Sequence, residues 1–251
     1  MSPEQTVEKM KKMRLSAMAN AYQHQTENPR QFKDMDFDER LAMLVDHETD
    51  VRETKRIDRL ISGSGMYFKS ACPEKIDYDP GRELDRSLMA RLLDSSYIAK
   101  HQNIVLEGAS SSGKTWMACA FGTAACRAGY RVKYYKMRSL VDEILVTRAT
   151  ADGGYQRLMK SFEKTDLLII DDFLLHGSIS ATDMGELLEL VDSRMMRGST
   201  ILCSQYKMEG WLNIMGRTAI ADSLMSRIES SSFVISMKAT EDMRAKYSKL
   251  L

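Results

Sequence analysis

The run Gly108-Ala109-Ser110-Ser111-Ser112-Gly113-Lys114-Thr115 restricts what this chain can fold into more than any other stretch. The pattern Gly-x4-Gly-Lys-Thr puts glycine where the backbone turns tightly and approaches a ligand with no side chain between. Successive amide hydrogens of such a loop converge on phosphate oxygens, and the N-terminus of a following helix adds its partial positive charge. That geometry needs a strand before the loop and a helix after it. Ile104-Val105-Leu106 supplies the aliphatic run, and the residues from Trp116 to Arg127 read as the helix. The loop therefore reads as a cradle for ATP, with Trp116 at its exit. Lys114 is expected to reach the β- and γ-phosphates, and the Thr115 hydroxyl to ligate Mg²⁺.

The same rhythm repeats along the chain. Short apolar runs at 103–107, 131–135, 166–170, 199–203 and 232–237 alternate with helix-length segments. Such runs describe strands buried on both faces of a sheet, so the expected fold is an α/β P-loop NTPase with a five-stranded, mainly parallel sheet. Upstream the pattern is helical, from Met10, Met13, Leu15, Met18 and Tyr22 through Leu41, Met43, Leu44 and Val45, with a break at Asn28-Pro29. Asp36 or Asp38 is expected to cap the second helical run. Ser62-Gly63-Ser64-Gly65, Cys72-Pro73 and Asp79-Pro80-Gly81 mark a flexible junction. The expected organisation is a small all-α N-terminal domain of residues 1–75 and an ATPase domain of residues 76–251. After Gln205 too little chain remains for a helix, a last strand and a full helical lid. A reduced lid is expected, with the nucleotide covered mainly by a neighbouring protomer.

A second motif, Leu167-Leu168-Ile169-Ile170-Asp171-Asp172, describes a buried strand that delivers carboxylates to its C-terminal end. Asp171 is expected to hold Mg²⁺ through its water shell. Asp172 stands where a Glu orients the attacking water in many ATPases, and is one methylene shorter. The strand Thr200-Ile201-Leu202-Cys203 ends in Ser204-Gln205, and Gln205 is a candidate to touch the γ-phosphate or the lytic water. Arg227 and Arg244 are candidates to meet phosphate charge, Arg227 from a neighbouring subunit as an arginine finger.

Charge gives weaker guidance. The net charge is +1, so a nucleic-acid partner would be met by a local patch. Arg52, Lys55, Arg56 and Arg59 fall on one helix face, and Lys133 and Lys136 flank Tyr134 and Tyr135; both are candidate DNA contacts or ordinary solvated charges. Nothing among them reads base edges. No apolar stretch approaches the roughly 20 residues that cross a bilayer, and residues 1–14 lack a signal-peptide core. The four cysteines show no metal or redox spacing, so no membrane partner and a reduced, cytoplasmic setting are expected.

Taken together, these residues resemble the IstB-like family of transposition helper ATPases, relatives of the DnaC-type helicase loaders within AAA+. The resemblance rests on Phe37-Asp38-Glu39-Arg40-Leu41 with Glu48 and Arg52, on residues 103–108, and on Ala128-Gly129-Tyr130-Arg131-Val132. Ser199-Thr200-Ile201, Ser204-Gln205 and Trp211 extend it. The chain departs from the family in the Ala-Ser-Ser-Ser loop interior, in Trp116 for a usual His, in Ser226-Arg227-Ile228 for Asp-Arg-Leu, and around Arg244. The resemblance places Gln205 at the AAA+ sensor position. It implies a homo-oligomer with ATP-bridged interfaces that assembles on double-stranded DNA and recruits or activates a cognate transposase. Two alternatives stay open: a helicase loader acting on single-stranded DNA, and an ATP-switch adaptor with negligible turnover, which the short Asp172 favours.

Overall fold

The computed structural model describes residues 2–150, 153–238 and Met243, and the chain divides into two compact units, Met1–Arg59 and Leu60–Leu251. The first unit holds α1 (Pro3–Lys12), α2 (Ser16–Glu27) and most of α3 (Phe37–Gly63). Ser2 and Gln5 form a reciprocal cap on α1, with Pro3 at its first position. Asp36, rather than Asp38, caps α3: its carboxylate accepts from the Glu39 amide at 2.8 Å, and Glu39 returns to the Asp36 amide at 3.0 Å. The small core of this unit comprises Ala17, Ala19, Phe32 and Leu44. Buried Glu48 accepts from the Met18 amide at 2.9 Å and from Arg52 Nε at 2.7 Å, and Arg52 also donates to the Arg14 carbonyl at 2.9 Å.

The second unit contains α4 (Arg86–Leu93), α5 (Ser96–Ala99), β1 (Asn103–Glu107), α6 (Lys114–Arg127), β2 (Val132–Lys136) and α7 (Met137–Ala149). It continues with α8 (Gly154–Glu163), β3 (Leu167–Asp171), α9 (Ala181–Arg194) and β4 (Ser199–Ser204). The elements α10 (Trp211–Ile214), α11 (Ala219–Glu229) and β5 (Ser232–Ser236) follow. The five strands lie in the order β2-β3-β4-β1-β5, and every pair is parallel.

Alternate residues of each strand serve opposite faces. Ile104, Leu106, Ile169, Ile201 and Cys203 pack with α6, from Met117 to Cys126 wholly buried. Val105, Leu168, Ile170 and Leu202 pack with α7, α8, α9 and α11 around Trp211 and Phe173. Burial on both faces is what the unbroken aliphatic runs require.

The boundary expected at residue 75 moves to Arg59/Leu60. Met66, Ala71 and Ile76 are buried against the α6 face, the Tyr134 amide donates to the Ser64 carbonyl at 2.8 Å, and Thr123 Oγ1 donates to the Ala71 carbonyl at 2.7 Å. The Gly- and Ser-rich junction is therefore packed chain of the larger unit. Its apolar residues cover the small side chains of α6, and turn-forming composition alone does not reveal such cover. The residues after Lys238 on which the lid expectation bears lie, Met243 apart, outside the described residues.

Candidate nucleotide-binding site

The loop between β1 and α6 has the backbone its glycines permit. Gly108 has φ 152°, and a Cβ there would stand 2.3 Å from the Met237 carbonyl oxygen. Gly113 has φ 89° and stands at the N-cap of α6. Lys114 Nζ curls back to donate to the Gly108 and Ala109 carbonyls at 2.7 and 2.8 Å, two oxygens that stand in for phosphate oxygens. Ser112 Oγ is buried with no hydrogen-bond partner among the described residues. A loop with no room for a Cβ at Gly108, an ammonium folded over it and an unsatisfied hydroxyl fit a polyphosphate.

Asp171 ends β3, 3% exposed. Its Oδ1 accepts the Asp172 amide at 2.9 Å and its Oδ2 accepts the Tyr134 hydroxyl at 2.7 Å. Burial, followed by the Asp171 charge, pushes the Tyr134 phenol well above its ordinary pKa, so it stays a donor. Burial also raises the Cys119 thiol to about 11, with Asp171 adding to the shift, and raises Cys203 well above its usual value. Among the described residues no group of three His, Cys, Asp or Glu side chains could hold a metal by itself. A Mg²⁺ ion here would rely on the Thr115 hydroxyl, Asp171, waters and nucleotide phosphates, which suits its preference for keeping part of its hydration shell.

Asp172 is positioned differently from its neighbour. It sits at φ 56°, a left-handed conformation that Asp tolerates better than Glu, which gives a backbone reason for the shorter acid. Its carboxylate pairs with Lys136 Nζ at 3.0 Å. A candidate water-orienting group and a candidate DNA contact thus hold each other. That hydrogen bond and the Asp172 charge raise the Lys136 pKa.

The other candidates fall in separate places. Ser204 lies opposite Glu107, and the Gly108 amide donates to the Ser204 carbonyl at 3.2 Å, so Gln205 follows directly beside the start of the loop. Trp116 packs partly against the α6-side core. Arg227 is not gathered with the loop: it pairs with Asp192 and donates to the Ser223 carbonyl at 2.9 Å, between α11 and α9. Arg244 lies outside the described residues. On the basic face of α3, Arg52 is committed to Glu48 and Arg14, and Arg56 pairs with Glu53 at 3.2 Å. Lys55 and Lys133 are exposed.

Three residues at the site escaped the sequence reading. Arg82 is 4% exposed and donates to the Ser112 carbonyl at 3.1 Å and the Asp77 carbonyl at 3.2 Å, bracing the loop from outside. Buried Glu107 accepts from the Met208 amide at 2.9 Å and from Ser236 Oγ at 2.6 Å, tying the segment after Gln205 and the end of β5 to the root of the loop. Tyr134 is the third. Only Glu107 carried a signal, a charge closing an aliphatic strand.

Comparison with known proteins agrees with this geometry. A family profile described as IstB-like ATP binding protein matches residues 8–250. An ATP-binding protein of insertion sequence IS1162 from Pseudomonas fluorescens is 37% identical over 205 residues, 82% of this chain and 87% of that protein. An insertion-sequence ATP-binding protein of Sinorhizobium fredii, y4pL, is 32% identical, covering 89% of each chain. Among solved structures, the DnaC helicase loader superposes with a TM-score of 0.54 at 13% identity, over 70% of this chain and 100% of that one. AMPPCP-bound DnaA from Aquifex aeolicus gives a TM-score of 0.57 at 19% identity, over 71% of this chain and 55% of that one. These structural likenesses bear on the fold alone.

Proposed function

This chain belongs to the IstB-like ATP-binding protein family, and on that premise we propose that it is a Mg²⁺-dependent ATPase that assembles on double-stranded DNA and recruits or activates a partner transposase. The observation that carries the ATPase reading is the closed glycine cradle under Lys114, with the buried carboxylate of Asp171 at a strand end on the same sheet edge.

The amides of residues 108–115 hold the phosphates, and Lys114 exchanges its two carbonyl partners for β- and γ-phosphate oxygens. Thr115 and Asp171 hold Mg²⁺, which when bound neutralises phosphate charge. Asp172 orients the attacking water once it leaves Lys136, and Gln205 monitors the γ-phosphate. Arg227 serves the nucleotide of a neighbouring copy, a role that requires it to exchange Asp192 for phosphate. Arg244 is retained as a candidate nucleotide contact. Duplex DNA is met through Lys55, Arg56, Arg59 and Lys133, with Arg52 keeping its structural partners.

One observation supports a second reading. The Lys136–Asp172 pair occupies the group that would orient water, as expected of an ATP-switch adaptor with little turnover. An exposed pair of this kind is worth at most about 1 kcal/mol. Lys136→Ala is therefore expected to raise basal ATP hydrolysis by no more than about fivefold. A rate unchanged or lowered in that variant would show that the pair does not restrain Asp172.

The primary test is steady-state ATP hydrolysis without DNA, with duplex DNA and with single-stranded DNA. Low basal turnover raised several-fold by duplex, and lost in Asp171→Asn, is expected. Stimulation by single strands only would point to a helicase loader, and no response to either would favour the adaptor.

A further inference from the structure

We propose that Tyr134 is a positioning residue for metal–nucleotide binding, its hydroxyl holding the Asp171 carboxylate in one orientation. The proposal rests on the reading of Asp171 as the acid that serves Mg²⁺.

Tyr134 lies opposite Ile169 in the β2–β3 ladder, two residues before Asp171 and on the same face. An aromatic side chain spans that diagonal. Both ends of Tyr134 are fixed: its amide donates a hydrogen bond to the Ser64 carbonyl at 2.8 Å, and its hydroxyl donates one to Asp171 Oδ2 at 2.7 Å. The other carboxylate oxygen accepts the Asp172 amide, so the acid is pinned through both oxygens and cannot rotate freely. Its remaining neighbours include the thiols of Cys119 and Cys203, weak hydrogen-bonding groups that cannot replace a phenol. In so buried a setting a hydrogen bond to a charged acid is strong, and its loss is costly. Partners that orient a metal-serving group typically account for about 10- to 100-fold in metal affinity.

The test uses the full chain and a fluorescent ATP analogue, titrated with Mg²⁺ in the wild type, Tyr134→Phe, Asp171→Asn and the double variant. Tyr134→Phe keeps the ring and removes only the donor. Its Mg²⁺ midpoint for nucleotide binding is expected to rise about tenfold, while nucleotide affinity in EDTA stays unchanged. In the Asp171→Asn background the same substitution is expected to add no further shift. A wild-type midpoint in Tyr134→Phe, or an equal shift in both backgrounds, overturns the role of Tyr134. A lowered melting temperature with a wild-type midpoint assigns Tyr134 to stability alone and overturns it too. An unchanged midpoint in Asp171→Asn overturns the assignment of the acid itself, and the proposal with it.

Discussion

Lys114→Ala is expected to weaken ATP binding by about 100-fold while leaving the nucleotide-free protein folded. Two pieces of chemistry set that size. An ammonium bonded to phosphate oxygens in a partly desolvated loop contributes up to about 3 kcal/mol, and each 1.4 kcal/mol is about tenfold in affinity. Without nucleotide, Lys114 Nζ donates to the Gly108 and Ala109 carbonyls of its own loop, bonds whose loss is local. Calorimetric titration of ATP into both proteins measures the effect. Melting curves provide a second readout, because stabilisation by saturating ATP grows with the ratio of ligand to dissociation constant and should almost vanish in the variant. Wild-type affinity in Lys114→Ala would remove the phosphate assignment of the whole loop.

The second large effect is expected far from the nucleotide. Arg194, at the end of α9, is 3% exposed, and among the described residues its hydrogen bonds reach no carboxylate. Nη1 donates to the Phe162 and Thr165 carbonyls, Nη2 to the Ser199 carbonyl at 2.6 Å, and Nε to Thr200 Oγ1 at 3.3 Å. One guanidinium thus ties together the end of α8, the turn into β3 and the start of β4. Burial lowers its pKa to about 10, which leaves it charged at neutral pH. Gly198 leaves room for it, since a Cβ there would lie 2.9 Å from Nη2 and 2.8 Å from the Thr165 carbonyl oxygen. Arg194→Met fills similar volume but abandons the buried carbonyls. The expected cost is about 3–5 kcal/mol, a large part of the stability of a typical domain. That corresponds to a melting temperature lower by roughly 10 °C. Because Arg194 braces the start of β4 and the nucleotide loop lies beside its end, ATP affinity measured below the transition should stay at the wild-type value. A drop of less than about 1 kcal/mol in denaturant unfolding would mean that water replaces the guanidinium without loss.

The two variants mark the division between what is legible in the chain and what is not. Lys114 could be picked out without a structure because its role is local: loop, lysine and helix start are contiguous, and glycine spacing fixes their backbone. Arg194 could not, since its acceptors come from residues 162, 165, 199 and 200. The strands were placed to within a residue or so by their aliphatic runs, because burial on both faces leaves a composition that few other elements share. The junction at residues 60–75 misled, because glycine and serine mark turns whether those turns are exposed or packed.

From the sequence alone came the phosphate loop, the five strands, the α/β alternation, the helical N-terminal segment and the two acids closing β3. Each of these is set by interactions between residues near one another in the chain, and periodicity and steric permission record such interactions directly. Only the tertiary structure decided the partners: Tyr134 on Asp171, Lys136 on Asp172, Glu107 beneath Met208 and Ser236, and the boundary at Arg59. Those pairs follow from the strand order β2-β3-β4-β1-β5, which sets residues dozens of positions apart side by side. Strand order is chosen by packing two helical layers onto one twisted sheet, a property of the whole chain that no single segment encodes.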